Sequence, residues 1–319
     1  MTALAATPTA HPRPARAGRA VLRLHRPALI SWGAFVAVVS AALLWAYGPL
    51  GDAAHSAWER ECTTDDVCDW SDALTGYDLV HSVSEALIHF VPVVVALWAG
   101  GLLIGRELER GTAQLAWTQS VSPARWLAAK LSLPAVVITA GSTLLVLLHR
   151  LLFDAHRIKD SWSWNDSETF YANGTIAIAF PLLALAVGAL SGLIAGRAVP
   201  GLIGGFLATA SATTLIGLAG PHLVPWKTSV GDLKEGYAAP ADVIYGGEGA
   251  VTSTGAHIAD PCVGTGKACP AAHDIVGYYS EYHPSSQFWS LQLTQTALIL
   301  AVAALATAAA FTLLRRRTS

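Results

Sequence analysis

Apolar residues in this chain come in long unbroken runs, not in the period-2 alternation of half-buried strands. A helix that crosses about 30 Å of hydrocarbon at 1.5 Å per residue needs roughly 20 apolar residues. Six runs answer that description: residues 28–47, 83–104, 131–148, 171–195, 199–218 and 288–314. Only Gly196, Arg197 and Ala198 separate the fourth from the fifth, so these two form a tight helical hairpin. The predicted fold is all-α, a polytopic membrane protein with six transmembrane helices occupying residues 19–319. Residues 1–18, rich in Ala, Pro and Thr without apolar periodicity, are expected to be a disordered tail. Arg19, Arg23 and Arg26 then recur at helical spacing among Val21, Leu22 and Leu24. This fits either a short helix on the membrane surface or a plain basic flank of the first span.

The polar segments between spans divide by charge. An even number of spans puts both termini on one side, together with Arg13, Arg16, Arg19, Arg23, Arg26, Arg106, Arg110, Arg125, Lys130, Arg197, Arg315, Arg316 and Arg317. Opposite lie Arg60, Arg150, Arg157, Lys159, Lys227, Lys234 and Lys267, spread over longer loops. The positive-inside rule therefore makes both termini cytoplasmic in the cell inner (plasma) membrane. The large outer loops are then about 48–79, 149–170 and 219–287, and the last of these is expected to be a small cap with little regular structure. The first run exceeds a signal-peptide core and five more follow, so it reads as an uncleaved anchor.

Composition agrees with lipid as the main solvent, at 53% hydrophobic and 13% charged residues. A net charge of -2 and a pI near 6.6 leave no concentrated basic face for nucleic acid. All four cysteines fall on the outer side in two close pairs, Cys62 with Cys68 and Cys262 with Cys269. An oxidising exterior permits disulfides. Local bridges are the simplest connectivity, and a bridge between the loops is the alternative. Neither pair has zinc-type spacing, and no metal site is expected, although His257 and His273 lie nearby.

Few motifs carry chemistry. The nearest string to a phosphate-binding loop, Gly264 to Ala268, has Pro261 in the first glycine position and Ala268 in the hydroxyl position. The chain is therefore expected to have no ATPase activity of its own. The spans are nearly free of ionisable groups, which disfavours an ion-coupled carrier. Glu85 and His89, four residues apart on one helix face, are the exceptions. They would either line the outer mouth of a substrate path or simply snorkel to the interface. Gly188, Gly192 and Gly196 form a small-residue ridge for close helix approach, within the hairpin or against another subunit.

The most specific stretch is residues 105–130. It reads as the second span overrunning the membrane, a break at Gly111, a short helix from about Ala113 that includes Trp117, and a fresh start with Ser122 as N-cap and Pro123 at the first helical position. This loop resembles the one between the second and third spans of ABC type-2 exporter permeases, where an acidic residue precedes Gly-Thr, a coupling helix follows, and a proline and a basic residue open the next span. The six spans, the amphipathic basic lead, the tight turn between spans four and five and the long loop before span six resemble that family too. The high Ala, Arg and Trp usage resembles actinobacterial members, which export antibiotics or other hydrophobic compounds.

The resemblance implies a permease subunit that forms the substrate path and docks separate ABC ATPase subunits through Glu107, Glu109, Gly111, Thr112, Trp117, Pro123, Arg125 and Lys130. It also implies a second permease copy or homologue in the lipid bilayer, with ATP and Mg bound by the partner ATPase. The rival for the loop is a solvated segment whose charges merely fix topology. The rivals for the whole chain are a non-transporting sensor or assembly protein using its outer loops, and an ion-coupled carrier.

Overall fold

The computed structural model describes residues 14–62, 71–119, 121–155, 158, 162–264 and 269–318. Helix α1 (Pro14–Tyr47) runs unbroken through Pro27, so the basic lead and the first span are one helix. Of the expected tail, residues 1–13 lie outside the described part and residues 14–18 open α1. Helix α2 (Pro49–Glu61) and the start of α3 (Asp72–Leu97) occupy most of what was expected as the first outer loop. Their apolar positions Ala54, Ala57, Leu74 and Tyr77 are buried together, so the segment is an amphipathic helical elbow.

Helix α3 does not stop at the membrane boundary. It widens into a π-helix over Trp98–Gly105 and regains α geometry in α4 (Arg106–Glu109). After Gly111 come α5 (Thr112–Gln119) and α6 (Pro123–Asp154). The fourth span is not the single helix expected over 171–195. It is broken into α7 (Ser167–Ala172) and α8 (Ile176–Ala195), with Asn173 and Gly174 in the break. Gln292 occupies the gap: its Oε1 accepts from Ile176 N–H (3.1 Å) and its Nε2 donates to Phe170 O (2.6 Å). The side chain thereby satisfies backbone groups that the break leaves orphaned. Helix α9 (Ala198–Ala219) completes the hairpin with α8, and the chain ends in α11 (Phe288–Thr318).

Six helical stretches are long and apolar enough to cross a membrane. Helix α8 is the axis of the bundle, with 72% of its apolar window buried against 11% for the first span and 17% for α9. Helices α3, α6, α9 and α11 wrap it, leaving α1 and α9 with broad apolar faces turned outward. Spans bury backbone polarity within themselves, so such faces are compatible with lipid.

Glycine sets the closest packing. A Cβ on Gly188 would lie 2.7 Å from Ala96 O, one on Gly192 2.7 Å from Gly100 O, and one on Gly201 2.6 Å from Gly100 O. The ridge at Gly188 and Gly192 therefore packs against the π-helical segment as well as against α9. Gly196 takes no part in it. It ends α8 in the left-handed conformation (φ 62°) with open space around its Cα.

The segment before α11 is more regular than the loose cap expected. Strands β1 (Lys227–Asp232), β2 (Ile244–Thr252), β3 (His257–Ile258) and β4 (Ile275–His283) form an antiparallel sheet in the order β1-β4-β2-β3. β4 is rich in Ile, Val and Tyr, residues that suit a pleated surface, whereas glycines at 246, 247 and 249 conceal β2 in the sequence. The short helix α10 (Cys269–Ala272) is tied to the turn that follows β3 by the Cys262–Cys269 disulfide (S–S 2.07 Å). The other expected pairing involves Cys68, outside the described residues.

Candidate functional site

Two polar clusters stand at opposite ends of the bundle. At the basic end, α4 and the start of α6 are clamped around Glu107. Lys130, buried on α6, donates from Nζ to Glu107 Oε1, and Trp126 Nε1–H donates to Oε2 (3.3 Å). Trp117 of α5 meets Trp126 edge-on, with ring centroids 5.7 Å apart. Thr112 Oγ1 donates to Glu107 O (3.1 Å) across the Gly111 break, where φ is +70°. Ser122 caps α6 by accepting from Arg125 N–H (3.4 Å), with Pro123 next in sequence.

The second carboxylate of this loop faces elsewhere. Glu109 Oε2 accepts from Ala198 N–H (2.9 Å), the first residue of α9. This satisfies an orphan donor and places negative charge at a helix N-terminus. Arg317 mirrors it, donating from its guanidinium to the carbonyls of Leu193 and Ile194 (3.2 Å to the latter) in the last turn of α8. Glu107 and Glu109 are thus spent on internal joints. The residues of α5 and its flanks exposed to solvent include Arg106, Glu109, Arg110, Thr112, Gln114, Leu115, Thr118 and Arg125, with Leu115 58% exposed.

At the other end, where the sheet lies, Glu85 of α3 is buried, and its partners differ from the pair expected. His89 is exposed on its side of α3 and packs on the Tyr171 ring (4.4 Å between centroids). The carboxylate instead faces His81, one turn earlier, and His149 of α6: His81 Nε2 is 3.4 Å and His149 Nε2 3.2 Å from Glu85 Oε1. Thr169 Oγ1 donates to the same oxygen (2.7 Å). His149 Nδ1 lies 2.8 Å from Asn173 Oδ1, in the break of the fourth span. Trp162 stacks flat on His81 at 3.4 Å. The spans therefore carry a buried ionisable cluster that the sequence reading did not foresee. His81 precedes the apolar run of span two and His149 follows that of span three, and only the bundle brings them together.

A third feature is an apolar groove of about 450 Å³ between α1, α3 and α6, lined by Trp32, Phe35, Phe90, Val94, Trp98 and Ile138 among others. The Trp32 indole N–H is used on Val137 O (3.1 Å), so the groove surface is almost wholly hydrocarbon.

The bundle and its two polar ends define a helical polytopic membrane protein with a structured loop at its basic end. Residues 33–219, more than half of the chain, match the ABC-2 membrane transporter related family, and the chain belongs to that family. Membership points to an ATP-binding-cassette permease, and with it to an ATPase partner and to lipid. No curated protein and no solved structure matches the chain.

Proposed function

We propose that this chain is the membrane-spanning permease subunit of an ATP-binding-cassette exporter in the cell inner (plasma) membrane. It pairs with a second permease copy or homologue and with separate ATPase subunits that hold ATP and Mg. The observation that carries this reading is the loop 105–130. The short helix α5 is braced through the contact of Trp117 with Trp126 of the Glu107, Lys130 and Trp126 joint, while it presents Leu115 outward on a segment flanked by the exposed Arg110 and Arg125. A helix so clamped transmits a push from outside to α3 and α6 as a rigid part. The apolar groove supports a hydrophobic or amphipathic substrate.

The test leaves the internal joints intact and alters only the exposed face. Leu115→Asp combined with Arg110→Glu should leave insertion and thermal stability unchanged while abolishing co-purification of the ATPase and ATP-dependent export. The purified chain alone should hydrolyse no ATP. Full ATPase binding by the double variant would remove the coupling assignment. The buried Glu85 cluster favours one rival, an ion-coupled carrier, and transport that persists without ATP but follows an ion gradient would decide for it.

A further inference from the structure

We infer that His81, Glu85 and His149 form a binding site for a divalent transition-metal cation of the zinc type. Their ligand atoms all lie within 4.8 Å of one another. A tetrahedral ion with metal–ligand bonds of about 2.0–2.1 Å requires neighbouring ligand atoms about 3.3–3.4 Å apart. The two imidazole-to-carboxylate separations, 3.4 and 3.2 Å, are close to that edge length. Two imidazoles and a carboxylate leave one position of the tetrahedron for water or another ligand.

The hydrogen bonding around the cluster points the same way. Asn173 Oδ1 accepts from Nδ1–H of His149, so in the neutral imidazole it is Nε2 that presents a lone pair to Glu85. Neither His149 Nε2 nor His81 Nε2 has a hydrogen-bond partner among the described residues, although both side chains are at least 98% buried. Buried polar atoms of this kind are costly unless paired. With both imidazoles neutral and protonated at Nδ1, their Nε2 lone pairs would face the carboxylate oxygen and repel it, and a cation between them removes the repulsion. The surrounding contacts are those of a metal site's outer shell: Asn173 fixes the tautomer of one histidine and Thr169 orients the carboxylate. His81 and Glu85 also line a cavity of about 580 Å³ whose wall includes Asp166 and Glu168, so a cation has an acidic approach from the sheet end.

The site is independent of the permease reading, and its test uses no transport assay. The full chain, purified in detergent and stripped with a chelator, is titrated with Zn²⁺ against a chromophoric competitor, and with Co²⁺ read by visible absorption. About one ion per chain should bind at micromolar concentration or tighter, and Co²⁺ should give the intense bands of low-symmetry four- or five-coordination. Glu85→Gln and His149→Asn should each weaken binding by at least about a hundredfold, and Asn173→Ala, which contacts His149 but supplies no ligand atom itself, by roughly tenfold. Should a variant fail to fold, X-ray absorption of the Zn²⁺-loaded wild-type chain must instead show two imidazole ligands with oxygen completing the shell. Unchanged affinity in folded Glu85→Gln, absence of saturable binding, or bound Zn²⁺ without imidazole ligation would overturn the proposal. A protonated histidine pair would then be the species that satisfies Glu85.

Discussion

Lys130 illustrates how a single buried charge is kept in a bundle of this kind. Its ammonium is almost fully removed from solvent, and its partner Glu107 divides its carboxylate between Lys130 and the Trp126 indole. Breaking a buried pair by removing one member strands the other and costs about 3–5 kcal/mol, whereas replacing both is far milder. Lys130→Met should therefore lower unfolding stability in detergent by an amount of that order. Glu107→Gln in the same chain should restore most of it, because the glutamine oxygen still accepts from Trp126. Equal destabilisation by the single and the double change would mean that the pair contributes little. The sequence makes this loop legible because its parts are adjacent or capped by local rules: Gly111 at the break, Ser122 and Pro123 at the restart. It does not reveal that Glu107 and Glu109 are engaged by internal partners, since Lys130 and Ala198 are brought close to them only by packing. The same reason hides the Glu85 cluster, where the helical period offers both His81 and His89 and only the position of α6 selects His81.

At the scale of elements, the contact between the π-helical segment and the α8–α9 hairpin is a backbone-to-backbone joint with glycine on every side. Gly192 has a carbonyl oxygen at 2.7 Å and Ile104 Cβ at 2.9 Å from where its own Cβ would lie, and neither is the end of a flexible chain. Gly192→Ala should cost about 1–3 kcal/mol through overpacking. Gly217 of α9 has nothing within 4 Å, so Gly217→Ala should instead stabilise by about 0.5–1 kcal/mol through helix propensity alone. Thermal unfolding of the two variants side by side checks both signs, and a neutral Gly192→Ala would show that the joint is loose. The spacing of the ridge is visible in sequence, but its partner is not: small residues declare a close approach without saying to what. Likewise the apolar run at 171–195 carries no charge to mark a break, and only the Asn173–Gly174 pair with a glutamine from α11 interrupts it. The sheet is hidden in the sequence because β2 and β4 are separated by more than 20 residues and four of the nine residues of β2 are glycine or acid.

Across the whole molecule, three properties align along the axis of the bundle. Arg106, Arg110, Arg125, Lys130, Arg197 and Arg315 to Arg317 gather at the end that holds α5, the hairpin turn and the C-terminus. The sheet, the disulfide and the buried Glu85 cluster lie at the other. Between them α1 and α9 present residues such as Val38, Val199 and Leu215 that remain about two-thirds exposed, which is unfavourable in water and natural in lipid. Translocation tends to leave clustered Lys and Arg on the cytoplasmic side, and disulfides persist in an oxidising exterior, so the orientation to be tested has α5 inside and the sheet outside. Thr118 on α5 and Thr254 in the turn between β2 and β3 are exposed at the two ends and make suitable probes. With the four native cysteines replaced by serine, Cys introduced at position 254 should react with a membrane-impermeant thiol reagent in intact cells. Cys at position 118 should react only after permeabilisation. The reverse pattern would place α5 outside the cell, beyond reach of any ATPase, and would remove the permease assignment together with the topology.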